Sequence, residues 1–407
     1  MNIVFFAARQ LHKDYFSKLA QQLTLHLNPQ LNPQLPLQDP HYSASVLWHK
    51  SLWKNVAWLR CLIPAFKANL GQIVDGHVRE KQNSRKGRLR QDNYWPIFRI
   101  IKTMEARLLF AIYYSALKQG NAQQMVIWNG LKFRQCIAIA AAEAQGIKCL
   151  YMENGLLPGM TTLDAKGINF RNSVPRSAAF FNQLDQQSFQ PELIKQLAQP
   201  LKNQFSDKPA SLPDNYIFVP FQVNTDSQII LFSPWIKDML DLVSQFDQVN
   251  QLLGGDMPHI VFKPHPACDQ KYDVLMKQYQ HHEKLHFDTE TPTPVLIQHA
   301  AAVATINSTV GIESLLLDKK LITLGQAFYQ LNGLCLSVKD QSSLAECLKE
   351  VSNWESDQLL RTAFFNYLAS EYQVAGRWQE ASGEHLQVCA MKLATLLEDT
   401  NSHKALH

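Results

Sequence analysis

Three short stretches carry residues whose types and spacing suit the handling of an anion. FKPHP, at residues 262–266, places Lys263, His265 and Pro266 directly after the apolar run 259–262. TINSTV, at residues 305–310, places Asn307, Ser308 and Thr309 at the end of the apolar run 302–306. FQVNTDSQI crowds Gln222, Asn224, Asp226 and Gln228 onto the turn after the apolar run 216–220. Ligands of an open parallel sheet sit beyond the carboxyl ends of its strands, so these runs predict one rim that gathers a cation, an imidazole, amides and hydroxyls. Ser308 or Thr309 should open a helix over residues 310–317, whose unpaired amides and positive dipole end favour a phosphate. Taken singly, these residues are also what stops a strand or caps a helix. Their coincidence at several strand ends of one sheet is what points to a site.

A further polar concentration, ENGLLPGMTTLDAKGINFRNSVPR at residues 153–176, follows a predicted strand over 147–152. A glycine right after an acid and an amide lets the chain turn sharply and aims Glu153 and Asn154 into a cleft. So long an irregular stretch is uncommon unless it builds a site, with Asn169 and Arg176 as candidate binding residues. The same stretch also reads as a surface loop held by Asp164, Asn169 and Asn172 bonding to the backbone.

The elements that must position these groups alternate in α/β fashion. Residues 3–7 form an apolar strand and 15–27 a helical pattern, the opening of a Rossmann-like unit without a GxGxxG fingerprint. The proline-rich stretch 27–40, with its doubled LNPQ, reads as a loop. Residues 50–118 read mostly as helices, broken by a basic, mobile loop at 81–92. Strand 125–128 ends in Asn129-Gly130, and an alanine-rich helix over 133–145 is closed by Gly146. At 407 residues the chain exceeds one ordinary core. The expected division is a first domain over 1–185 with a basic helical insertion at 48–118, a linker at 186–213 marked by Gln, Lys, Pro and Ser, a second α/β domain over 214–397, and a flexible tail at 398–407.

No apolar run approaches the roughly 18 residues of a membrane span, and residues 1–8 lack the pattern of a signal peptide, so the chain is expected in the cytoplasm. Seven scattered cysteines without a CxxC pair predict neither a disulfide framework nor a zinc site. His281-His282 reads as a solvated helix face, not as metal ligands. Between Lys50 and Arg107, 13 Lys or Arg stand against four acids, a surplus of nine in a chain of net charge +4. With the aromatic residues interleaved there, the segment suits anionic lipid head groups. A nucleic-acid surface would share that composition, as would a merely solvated basic face.

In ENGLLP, FVPFQVNTDSQI, FKPHP and TINSTVGIESLLLDKKLITLG, in that order over residues 147–333, the sequence resembles the capsule polysaccharide synthesis proteins of the KpsS and KpsC type. The resemblance implies an α/β fold of GT-B type, two Rossmann-like domains facing a cleft, with extra N-terminal and C-terminal helices. It also implies an activity like that of retaining β-Kdo transferases, which move 3-deoxy-D-manno-octulosonic acid (Kdo) from CMP-β-Kdo to a glycolipid or lipooligosaccharide at the cytoplasmic face of the inner membrane. Nucleic acid is then no partner, and because nothing resembles a DxD motif, no metal or other cofactor is expected. Glu153-Asn154-Gly155 resembles the acidic turn of CMP-sugar transferases, His265-Pro266 their H-P turn, and Asn307-Ser308-Thr309 their serines at a helix start. Glu290 is placed where such enzymes hold the ribose hydroxyls. Where the family has an acid in the middle of the turn, this chain has Asn154. The implied nucleophile is therefore Glu153, with Asp164 as second candidate and Lys166, Arg171 and Arg176 as offsetting cations. The alternatives are a non-catalytic scaffold of GT-B shape and an enzyme using another nucleotide sugar.

Overall fold

The computed structural model describes residues 2–26, 32–38, 56–84, 86–268 and 270–402. The chain forms two compact units, one from Met1–Arg79, Arg90–Ser173 and Tyr372–His407, the other from Glu80–Leu89 and Val174–Glu371.

The first unit is built on a six-stranded sheet in the order β12-β5-β4-β3-β1-β2. Its strands are β1 (Asn2–Ala7), β2 (Asn32–Gln38), β3 (Gln124–Trp128), β4 (Lys148–Asn154), β5 (Met160–Asp164) and β12 (Gln373–Ala375). The first four are mutually parallel; β5 runs antiparallel to β4, and the edge strand β12 runs antiparallel to β5. Side chains alternate across a strand, and β1 obeys this on both faces. Ile3, Phe5 and Ala7 pack with Phe16, Leu19 and Leu23 of the helix Gln10–His26 and with Leu393 and Leu397 of the helix Gly383–Ser402. Val4 and Phe6 pack instead with Val74, Leu109, Phe110 and Ile137, which belong to the helices Gly71–Gln82, Tyr94–Gln119 and Phe133–Glu143. Helices on both faces are why these strands read as continuous apolar runs.

The second unit holds an all-parallel sheet in the order β11-β10-β9-β6-β7-β8. The strands are β6 (Tyr216–Pro220), β7 (His259–Lys263), β8 (Leu285–Phe287), β9 (Ala302–Thr305), β10 (Lys320–Thr323) and β11 (Leu336–Ser337). Ile217, Val219, Ile260, Phe262 and Ala304 share a core with Met239, Leu242, Val243 and Phe246 of the helix Met239–Leu253. Successive strands proceed one way from β6 through β8 and the other way from β9 through β11. The order reverses between β6 and β9, the kind of point where open α/β sheets take ligands.

Several expectations need correction. The chain leaves the first unit at Ser173, not within 186–213, and that stretch carries the helix Pro191–Lys202 of the second unit. Ile194, Leu197, Ala198 and Leu201 are its buried stripe, and its solvent-facing Gln and Lys residues gave the segment the composition of a linker. From Tyr372 onward the chain returns to the first unit, supplying β12 and the last helix. Within the stretch 27–40, residues 32–38 form β2, paired parallel with β1. The last helix continues to Ser402, so residues 398–402 are not a loose tail; residues 403–407 lie outside the described ones. His281 and His282 follow the helix Asp273–Gln278 in a turn, where His282 Nδ1 accepts from the amides of Lys284 and Leu285 at 3.1 and 3.0 Å. Lys50, Lys54 and Arg85 of the basic segment lie outside the described residues.

Candidate active site

At the carboxyl end of β7 the strand hands over to Pro264, and the two groups expected from FKPHP take different environments. Lys263 is half-buried; burial pulls its pKa below the usual lysine value, and the carboxylate of Asp288 opposes that shift. His265 is exposed, as is Pro266, and its Nδ1 accepts the amide of Ala267 at 3.1 Å. A ring nitrogen that accepts carries no proton, so the neutral ring keeps its hydrogen on Nε2 and can donate there.

The residues expected at the ends of β6 and β9 meet each other. Gln222 Nε2 donates to Asn307 Oδ1 at 2.9 Å, and the Asn307 amide donates back to Gln222 Oε1 at 3.2 Å. The Asn307 side-chain amide also donates to the carbonyls of Gln228 and Phe232 at 3.0 and 3.2 Å, and Gln228 Nε2 donates to the Asn307 carbonyl at 3.4 Å. Both Gln222 and Asn307 are buried. They tie the ends of β6 and β9 together, with these polar atoms engaged inside the unit. Asn224 is buried likewise, donating to Gln270 and the Tyr272 hydroxyl and accepting the Met239 amide. Asp226 caps the helix Ser227–Phe232 through the Gln228 amide at 3.0 Å.

Of the expected helix cap, Ser308 alone uses its side chain, accepting the Val310 amide at 3.2 Å, and its carbonyl accepts the Tyr329 hydroxyl at 2.6 Å. Thr309 is exposed and makes no capping bond. Gly311 is required in the helix Val310–Leu316, because a Cβ there would stand 2.5 Å from the Tyr329 hydroxyl. Glu290 is exposed; the carboxylate organised beyond β8 is Asp288, which accepts the amides of Glu290 and Thr291 at 3.0 and 2.8 Å and the Thr291 hydroxyl at 2.7 Å.

Sequence reasoning missed two contributors to this unit. Within the stretch 81–92, Gly87–Leu89 form a short 3₁₀ turn, and residues flanking it dock here. Asn83 donates to the carbonyls of Asn224 and Lys237, both at 3.3 Å, and Arg88 pairs with Asp238 at 2.8 Å. The other is Glu313, whose carboxyl burial pushes above its usual range. An acid one turn into the helix after β9 was a visible signal in TINSTVGIES.

In the first unit, β4 does not stop before Glu153 but runs through Asn154, pairing Glu153 with Thr162 and Asn154 with Thr161 in an antiparallel hairpin. Gly155 makes the turn, where any Cβ would lie 2.3 Å from the Met160 carbonyl oxygen. Glu153 is half-buried; Asn129 Nδ2 donates to its Oε2 at 2.5 Å and the Asn154 amide to its Oε1 at 2.9 Å. Asn129 adopts φ +66° at the end of β3, where the order of this sheet also reverses, between β1 and β3. Asn154 Oδ1 accepts from Trp378 Nε1 at 2.7 Å and Gln379 Nε2 at 3.3 Å.

Asp164, the second candidate nucleophile, is only 1% exposed. It accepts the amides of Lys166, Gly167 and Ser173, the Ser173 hydroxyl and the Tyr372 hydroxyl, at 2.6 to 3.0 Å. Five donors occupy its lone pairs, so it holds the loop and cannot attack a substrate in this arrangement. Asn169 opens a 3₁₀ turn with φ +55°, and exposed Arg176 donates to the Val174 carbonyl. The chain passes between units at 173/174, so Asn169 and Arg176 belong to different ones.

Residues 193–378 match the family described as "Capsule polysaccharide biosynthesis protein". Protein FixF of Sinorhizobium fredii is 33% identical over 282 residues, 69% of this chain and 68% of that protein. The capsule polysaccharide export protein KpsS of Escherichia coli is 25% identical over 252 residues, 47% of this chain and 64% of KpsS. Among solved structures, the β-Kdo 2,7-transferase KpsC of Thermosulfurimonas dismutans aligns with a TM-score of 0.43 and 17% identity, over 68% of this chain and 88% of that one. The chain belongs to the capsule polysaccharide synthesis family.

Proposed function

We propose that the protein is a Kdo transferase of surface polysaccharide synthesis, taking CMP-β-Kdo as donor and a lipid-linked or lipooligosaccharide acceptor, on the cytoplasmic side of an anionic membrane and with retention of configuration. The observation that carries the reading is the reversal of strand order between β6 and β9, bridged by the Gln222–Asn307 pair and followed, beyond the next strand, by Lys263 and His265. Lys263 brings a positive charge to where a nucleotide phosphate would sit, and His265 Nε2 brings a donor. CMP leaves with its own negative charge, so fixed cations and dipoles are the help it needs. Glu153 is the nucleophile of this reading. Its carboxylate attacks the anomeric carbon as the bond to the CMP phosphate breaks; the acceptor hydroxyl then displaces Glu153 from the same carbon, regenerating the free carboxylate and releasing its proton to solvent.

Titration calorimetry with CMP tests the donor site. His265→Ala and Lys263→Ala should each weaken CMP binding, and affinity unchanged in both would sink the assignment. UDP binding as tightly as CMP would move the reading to another nucleotide sugar. A second reading, a scaffold without turnover, is favoured by Asn154 standing where the family's acid is expected. It predicts CMP binding without Kdo transfer to any lipid acceptor.

A further inference from the structure

The helix Tyr94–Gln119 has an inner face, and in its first three turns it has an outer apolar one as well. Trp95, Phe98, Leu109 and Phe110 pack into the core of the first unit. Ile97, Ile100, Ile101 and Met104 stand 61%, 65%, 57% and 49% exposed. Single exposed aliphatics need no explanation. These four recur at i, i+3, i+4 and i+7, which is one unbroken stripe along a helix. The helix Leu62–Lys67 adds Ile63 and Phe66, 69% and 54% exposed. Arg107, one turn beyond Met104, holds its guanidinium 4.5 Å over the Phe66 ring.

Charge around the face is mainly positive: Asp75 is paired with Arg99 at 2.6 Å, and Asp92 stands just before the helix. On the helices Val56–Cys61, Leu62–Lys67 and Tyr94–Gln119 the single acid is Glu105, and Lys102 holds it at 2.6 Å. Arg60 and Lys67 are exposed, and Arg90 lies 5.1 Å over the ring of Tyr94 at the stripe's amino end.

We propose that this face inserts into the head-group and upper acyl region of an anionic bilayer, lying on the membrane without crossing it. Among the described residues no helix is long and apolar enough to cross one. An aliphatic stripe bordered by Arg and Lys, with Glu105 and Asp75 already paired to cations, is how an interfacial element is made: the cations left over reach lipid phosphates while the Ile and Met side chains leave water. The inference deepens the membrane side of the proposed function, since a lipid-linked acceptor would be met at this surface, but the face exists whichever sugar is transferred.

The test is co-sedimentation of the full chain with vesicles of phosphatidylglycerol and phosphatidylethanolamine. The wild-type chain should bind, and part of the binding should survive about 0.5 M NaCl, where charges are screened within a few ångström, because aliphatic burial is not screened. The double variant Ile100→Glu, Ile101→Glu changes only exposed positions. It should keep the thermal unfolding curve and the CMP affinity of the parent while losing about tenfold or more in vesicle partition. Partition equal to wild type overturns the proposal. So does a wild-type chain that ignores vesicles but self-associates in sedimentation velocity through the same residues, which would assign the face to a second copy. Failure to bind CMP with vesicle binding intact would instead remove the transferase reading and leave this one standing.

Discussion

Gln222 and Asn307 bond to each other twice across the point where the second unit's sheet reverses its strand order, at 2.9 and 3.2 Å. Their polar atoms are spent on holding two strand ends at a fixed separation. Asn307→Ala should therefore act through stability: it leaves Gln222 Nε2 without its acceptor and removes one donor from the carbonyls of Gln228 and Phe232, at a cost of about 1–3 kcal/mol for the buried group left unpaired. Urea unfolding checks this, and an unmoved midpoint alongside lost CMP binding would make Asn307 a ligand contact instead.

Lys263 offers a prediction with a pH signature. Its pKa in the folded chain lies below that of an unfolded lysine, so burial penalises the ammonium form. The penalty is fully present at neutral pH and fades as pH rises through the folded pKa toward the unfolded value of 10.5. Lys263→Met should raise the melting temperature at pH 7, by an amount that shrinks at high pH, and should weaken CMP binding. A gain independent of pH would mean that packing, not charge, is responsible.

Asp164→Asn replaces an acceptor of five hydrogen bonds with a group that donates on one side. Facing the Ser173 and Tyr372 donors, it should cost about 2–4 kcal/mol of stability, and turnover should fall only with the folded fraction. A fully folded variant without turnover would return Asp164 to the chemistry.

Glu153→Gln should lose turnover by orders of magnitude and keep CMP affinity; near-normal transfer would show that Glu153 only braces the hairpin with Asn129. Asn154→Asp is the companion. It preserves an acceptor for Trp378 and Gln379, so the fold should hold and the rate should change little. A large gain in rate would move the nucleophile to position 154.

The central strands were legible because β1, β3, β6, β7 and β9 are buried on both sides and spell continuous apolar runs. The end of β4 was not. Glu153 and Asn154 are polar enough to read as an exit from the strand, yet Thr161 and Thr162 across the hairpin keep them in the ladder. Lys263 and His265 were found as strand-end residues, whereas the roles of Asn307 and Gln222 depended on a contact between positions far apart in sequence. Trp378, which bonds Asn154, lies more than two hundred residues away. β12 is three residues long, too short to announce itself against the helical pattern on either side.

The return of the chain at Tyr372 also dictates an order of assembly during synthesis. Every residue of the second unit has been made before β12 and the helix Gly383–Ser402 exist. Until that helix arrives, Ile3, Phe5, Phe16 and Leu19 lack the partners Cys389, Leu393 and Leu397. A nascent chain thus carries an open apolar face on its earliest-made half while its later-made half can already be closed, a state that invites chaperones or aggregation. A stop codon shortly after Glu371 would freeze it there, so loss of a few dozen terminal residues should be as damaging as loss of the first strand.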